Sequence, residues 1–283
     1  MTEKSAGAPP RALPFNDAAA RLERILLGLD RCVVACSGGV DSMLLAVVAG
    51  RLMGERALIV HAVSPAVPEE ATRLVRETAA AEGWALHVAK SGEFGDERYL
   101  SNPTDRCYYC KTHLYGMLSE IAAGIPGKPV LLSGTNQDDL AEFRPGLKAA
   151  AEAGVRHPYV EAGFAKKDIR ELAKGLGLDF SDKPASPCLA SRLYSGTRVT
   201  APRLAAVEFA EAFLQRALQI QVLRCRMQGD EMKVETTLEA MGRVTSDSLS
   251  KLRAALAAAG HAVTSVQLDP VPYRSGRAFV PIS

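Results

Sequence analysis

The sequence lacks an apolar run long enough to span a bilayer, and no charged-then-apolar leader stands at its start. An excess of one charge is missing too: 34 Lys and Arg face 32 Asp and Glu, so no broad polyanion-binding surface is forced. No internal repeat or low-complexity tract stands out, and the five histidines show no metal-type spacing. Six cysteines among 283 residues do not resemble a secreted disulfide framework. Together these absences point to a soluble cytoplasmic protein, where Cys-x-x-Cys spacing signals metal or redox chemistry. The length suits one large or two modest domains with a core that needs no staples.

What is present is alternation. Residues 1–16 read as a loose arm, and Asp17 to Gly28 has helical spacing. Strands are expected at 32–36, 57–63, 85–89 and 129–133. Helices are expected at 42–52, 69–82, 111–122, 138–153 and 166–176. This order predicts an α/β fold, a parallel sheet with helices on both faces, over residues 17–200. Ligands then lie beyond the carboxyl ends of the strands. Residues 201–283 read as a small α+β domain: helix 202–219, strands 221–227 and 231–237, helix 245–259 and a last strand 263–268. Lys183–Thr200 links the two parts.

The first expected strand runs into Ser37-Gly38-Gly39-Val40-Asp41-Ser42 and then a helix. Glycines let the backbone turn tightly, and a helix start offers free N–H groups and a positive dipole end to an anion. Ser37 and Ser42 add hydroxyls, and Asp41 is placed to help hold Mg²⁺. No Gly-Lys-Ser/Thr ending follows, so this is not a Walker loop. The six residues match the PP-loop of ATP pyrophosphatases, a resemblance that implies ATP cleavage between the α and β phosphates.

Cys107-Tyr108-Tyr109-Cys110 opens a helix, whose N-terminus is expected to favour thiolates. Cys188 sits in a loop-like segment near Arg192, and convergence of loops at the sheet edge would bring the three thiols together. Three readings stand open on the residues alone. They are a Cys107–Cys110 disulfide, a zinc site with His113 as a further ligand, and a [4Fe–4S] cluster on Cys107, Cys110 and Cys188. Cys32, Cys36 and Cys225 read as core packing.

The segments Arg106–Lys111, Gly134–Asp139, Arg144–Gly146 and Lys183–Arg192 resemble motifs of the LarE family. These are ATP-dependent sulfur transferases of nickel-pincer cofactor biosynthesis, and the match runs from about residue 20 to beyond 235. The resemblance implies adenylylation of a carboxylate of pyridinium-3,5-biscarboxylic acid mononucleotide and its conversion to a thiocarboxylate. It also implies ATP, Mg²⁺ and, because all three thiols are present, the class that carries a [4Fe–4S] cluster with an extra sulfide. In the other class a single cysteine, here Cys188, gives up its own sulfur. Homo-oligomers are common among similar proteins, and the sulfide donor is not named by the sequence.

In the second part, Gly229-Asp230 marks a two-residue hairpin turn. Gln228 then faces Glu231, Arg226 faces Lys233 and Arg224 faces Glu235. Leu223, Cys225, Met227, Met232 and Val234 take the opposite, core face. The Arg224/Arg226 face reads either as solvated surface or, as the resemblance implies with Glu235, as a site for the substrate phosphate. Asn136 and Asp139 follow an expected strand and read as nucleotide-positioning residues or as helix caps. Arg144 reads as a phosphate contact or a local ion pair. Ser64 reads as lining the adenosine pocket or as starting a turn before Pro65. A tRNA thiolase, an amidating enzyme and a non-catalytic nucleotide scaffold are the alternatives. The lack of a basic stripe argues against nucleic acid.

Overall fold

The computed structural model describes residues 17–141, 145–184, 187–274 and 276–279. The expected arm at 1–16, Arg144 and two residues of the Cys188 motif, Ala185 and Ser186, lie outside these. The elements in chain order are α1 (Asp17–Leu27), β1 (Cys32–Ala35), α2 (Val40–Met53), β2 (Ala57–Val63), α3 (Glu69–Glu82) and β3 (Ala85–Lys90). Next come α4 (Glu97–Leu100), α5 (Arg106–Ala123), β4 (Val130–Leu132), α6 (Pro145–Glu152), α7 (Pro158–Ala162) and α8 (Lys166–Gly175). The chain continues through α9 (Ala201–Leu218), β5 (Leu223–Gln228), β6 (Glu231–Thr236), α10 (Ser246–Ala258) and β7 (Ser265–Leu268).

Two compact units divide these elements. Among the described residues the first comprises 17–62, 70–91, 114–141 and 145–184, and the second 63–69, 92–113, 187–274 and 276–279. The division therefore does not fall at residue 200. It places Cys107 and Cys110 in the second unit with Cys188.

The first unit holds the expected α/β sheet, in the order β3-β2-β1-β4, with β1 parallel to both β2 and β4. The chain steps outward from β1 to β3 and then returns to the other side of β1 for β4. The gap between β1 and β4 is thus a topological switch point, where α/β sheets bind ligands. β1 reads Cys-Val-Val-Ala, a continuous apolar run, because a central parallel strand is covered on both faces. α2 is apolar all round for the same reason, and Met43 to Ala49 are fully buried. The indole of Trp84 packs on Gly50 of α2, where a Cβ would stand 2.7 Å from the ring. Helix 138–153 is not continuous. A 3₁₀ turn covers Asp138–Ala141, and α6 covers Pro145–Glu152 with the proline in its first turn, where no intrahelical N–H is needed.

The second unit pairs β5 with β6 antiparallel and β6 with β7 parallel. The expected register holds pair for pair: Gln228 opposite Glu231, Arg226 opposite Lys233, Arg224 opposite Glu235. Gly229 takes φ +58° at the turn. Leu223, Cys225, Met227, Met232 and Val234 are buried with Leu204, Val207 and Leu214 of α9 and Leu252 and Leu256 of α10. Cys225 is core packing, as its place on the strand indicates. Among the described residues no helix is long and apolar enough to cross a membrane.

Candidate active site

The glycine turn leaves β1 at the switch point. Gly38 has φ +84°, and a Cβ there would meet the Ala71 Cβ at 2.9 Å, so only glycine fits under α3. The loop's hydroxyls are ordered among themselves. Ser42 Oγ accepts from Ser37 N at 3.0 Å, donates to Gly39 O at 3.0 Å and lies 3.1 Å from Ser37 Oγ. Gly39 is the N-cap of α2 and supplies no side-chain cap. The start of α2 is therefore shaped for an external anion.

Asp41, in the first turn of α2, meets a partner the sequence did not announce. Lys166 Nζ is 2.5 Å from both of its carboxylate oxygens. Burial raises the Asp41 carboxyl above its ordinary range, Lys166 pulls it back, and Asp139 pushes it up. A signal existed: Lys166 opens α8, where a cation opposes the helix dipole and needs another reason to be there. The backbone N–H of Lys166 donates to Asp138 Oδ2 at 2.8 Å.

The segment after β4 packs against the same helix start. A Cβ on Gly134 would lie 2.8 Å from Ser42 N and 2.9 Å from the Asp41 carbonyl carbon. Tyr159 donates from its hydroxyl to Asp41 O at 3.1 Å. Asn136 Oδ1 accepts from Asp138 N at 3.0 Å, and Asp139 Oδ2 accepts from Asn136 N at 3.1 Å. Both residues thus form a reciprocal cap on the 3₁₀ turn. Behind the loop, His61 is fully buried. Its Nδ1 lies 2.8 Å from Cys36 O and its Nε2 3.0 Å from Thr72 Oγ1. Cys36 packs its Sγ 3.5 Å from the Met43 thioether, and burial pushes its thiol up to about 11.

In the second unit, Cys107 and Cys110 lie at the opening of α5, partly buried, while Cys188 is exposed. The helix start does not favour their thiolates. Withdrawal from water dominates, raising Cys107 and pushing Cys110 up to about 12, and the charge of Cys188 adds to both. All six cysteines are free, so Cys107 and Cys110 form no disulfide. His113 does not turn to the thiols, because its Nε2 is 2.9 Å from Asp96 Oδ2. Three soft thiols that sense one another suit an iron–sulfur group in donor type. Among the described residues, however, no three His, Cys, Asp or Glu side chains are gathered to hold a metal ion.

Ser64 forms a turn, with its Oγ accepting from Ala66 N at 3.3 Å and its carbonyl from Val67 N at 3.0 Å. The charged hairpin face is not solvated: Arg224 and Arg226 are buried and Glu235 is fully so. The ion pair runs diagonally, from Arg226 Nε to Glu235 Oε2 at 2.7 Å, rather than directly across to Arg224. Arg277 joins Glu235 at 2.9 Å and Asp269 at 3.0 Å. The Arg224 guanidinium lies over the Tyr273 ring, 5.4 Å from its centroid. Arg277 and Tyr273 were not legible as site residues, since no local pattern connects them to the hairpin.

A glycine turn with an open helix start at the switch point of a parallel sheet defines an α/β protein of the PP-loop kind, with its candidate ligand site at that turn. No protein-family model matches the chain. It is 33% identical over 261 residues to pyridinium-3,5-bisthiocarboxylic acid mononucleotide synthase of Lactiplantibacillus plantarum, covering 91% of this chain and 92% of that one. An uncharacterized protein of Synechocystis sp. is 36% identical over 250 residues, 88% of this chain and 92% of its own. A second uncharacterized protein, from Methanocaldococcus jannaschii, is 29% identical over 185 residues, 65% of this chain and 69% of its own. The chain belongs to the LarE family, that of the Lactiplantibacillus synthase.

Proposed function

We propose that this protein is an ATP-dependent sulfur transferase acting on pyridinium-3,5-biscarboxylic acid mononucleotide in nickel-pincer cofactor synthesis. The observation that carries this reading is the 33% identity to the bisthiocarboxylic acid mononucleotide synthase across 91% of the chain. In this reading Ser37, Gly38, Gly39 and Ser42 cradle the ATP phosphates at the start of α2. Asp41 and Asp139 hold Mg²⁺, while Asn136 and Ser64 line the nucleoside. A substrate carboxylate oxygen attacks the α-phosphorus and pyrophosphate leaves. The acyl adenylate so formed gives sulfur a good leaving group, AMP, where the free carboxylate offered only oxide. Arg224 and Arg226 take the substrate phosphate, with Glu235 fixing the guanidinium of Arg226.

Cys107, Cys110 and Cys188 would hold a [4Fe–4S] cluster, which when bound supplies a sulfide on its open iron. A second reading is favoured by the exposure of Cys188 and the absence of a gathered metal group among the described residues. In it Cys188 Sγ attacks the adenylate and displaces AMP to form a thioester; loss of the Cys188 Cα proton to a base then breaks the Cβ–S bond, leaving dehydroalanine and the product thiocarboxylate. The two separate on one experiment, anaerobic reconstitution followed by turnover, with iron, acid-labile sulfide and the mass of the Cys188 peptide measured before and after. About four irons per chain with intact Cys188 supports the cluster. Dehydroalanine without iron supports sacrifice. No pyrophosphate release with this acceptor, set against tRNA and ammonia-dependent amidation as controls, overturns both.

A further inference from the structure

The backbone that carries Cys188 is clamped by three buried guanidinium groups. Arg192 donates to Pro187 O at 2.5 Å and to Cys188 O at 3.2 Å, while its Nε and Nη2 hold Glu211. Arg226 donates to Ser191 O at 2.9 Å. Arg106 donates to Ala190 O at 3.0 Å and to Asn102 Oδ1. Arg192 belongs to the clamped segment itself, and Arg226 also serves Glu235. Arg106 comes from α5, immediately before Cys107, and is 2% exposed.

A guanidinium sealed from water needs acceptors held in its plane, since leaving one unmet is costly. The two acceptors of its Nη1 are themselves fixed. Asn102, at φ +56°, donates from Nδ2 to Tyr194 O and to Thr197 O, each at 2.9 Å. Ala190 is fully buried and accepts from Leu193 N at 3.1 Å. One side chain thus joins the first turn of the Cys-x-x-Cys helix to the stretch two residues beyond Cys188.

We propose that Arg106 is a positioning residue that tethers the Cys188 segment to the helix start bearing Cys107 and Cys110. Its importance rests on Cys188 being a sulfur-bearing residue of the proposed reaction. The placement itself is independent of how the sulfur is supplied. Lysine cannot replace it fully, because both bonds leave Nη1 and a lysine stem ends one bond short of that atom.

The test is cross-linking of the full-length, reduced, metal-free protein with dibromobimane, read by peptide mass spectrometry. Cys32, Cys36 and Cys225 are buried, which leaves Cys188 linked to Cys107 or Cys110 as the expected product. Arg106→Gln should lower the initial rate of that link about tenfold, with near-UV circular dichroism unchanged, because a charged hydrogen bond to the loop is lost. A fall of at least about threefold supports the proposal and a smaller one overturns it. Should Arg106→Gln fail to fold, Arg106→Lys is judged by the same threshold. Failure of the wild-type protein to form the link also overturns the proposal. Cross-linking needs neither ATP nor acceptor, so a failure here leaves the sulfur-transfer reading to its own assay.

Discussion

Lys166 Nζ sits 2.5 Å from each carboxylate oxygen of Asp41, so the loop's one acidic side chain is neutralised by the first residue of α8. Both side chains keep some contact with water, at 34% and 26% exposure, so the pair contributes only about 1 kcal/mol or less to stability. Its value lies in charge placement. In the proposed reaction the Asp41 carboxylate passes to Mg²⁺ and the Lys166 ammonium donates to the phosphates beside it, so Lys166→Met should lower pyrophosphate release roughly a hundredfold, the scale of losing one charge-stabilising donor. The melting temperature should move by only a few degrees. Parallel pyrophosphate and thermal-shift assays check the contrast.

Gly134 and Gly177 predict opposite outcomes for the same substitution. A methyl on Gly134 would press on the backbone of Asp41 and Ser42, the start of α2. Gly134→Ala should cost about 1–3 kcal/mol through overpacking and lower pyrophosphate release at least about tenfold. Gly177 has φ +69° with nothing within 4 Å of a Cβ. Gly177→Ala should cost roughly 1–2 kcal/mol of backbone strain and spare the activity. Urea titration and turnover on both variants test this.

Glu235 has two arginine partners and no solvent. Removing it leaves Arg226, 5% exposed, with a buried charge, so Glu235→Ala should destabilise the protein by about 3–5 kcal/mol. The Arg203–Asp230 pair is the control, with the carboxylate 51% exposed, and Asp230→Asn should cost less than about 1 kcal/mol. Equilibrium unfolding in urea distinguishes them.

Burial lowers the pKa of His61 below its ordinary 6.5. Above that value the imidazole is neutral in both folded and unfolded chains. As pH falls below 6.5 the unfolded chain takes up a proton that the folded one resists, so stability is lost toward acid. His61→Gln should flatten this slope between pH 6.5 and the depressed folded value, as read by melting temperature against pH.

The strand–loop–helix around Ser37 and the hairpin register were legible because each depends on adjacent residues: glycines, an apolar run, a turn pair. What was not legible depends on distant ones. A face bearing Arg224 and Arg226 looks solvated until Tyr273 and Arg277 are placed over it. The apolar spacing of 138–153 reads as one helix, whereas Asp138–Ala141 form a 3₁₀ turn closed by the Asn136 and Asp139 caps. At Cys110 the helix start is a local cue that favours the thiolate, whereas withdrawal from water, a property of the whole surrounding shell, raises the thiol.

Trp84 is the sole tryptophan of the chain, and it rests on Gly50 of α2 within the first unit. Intrinsic fluorescence therefore needs no label to watch the helix whose first turn carries Asp41. Selective excitation at the red edge reports on that unit by itself, and the second unit is dark there. A denaturation followed by this signal and by circular dichroism would show directly whether the two units melt together or in turn.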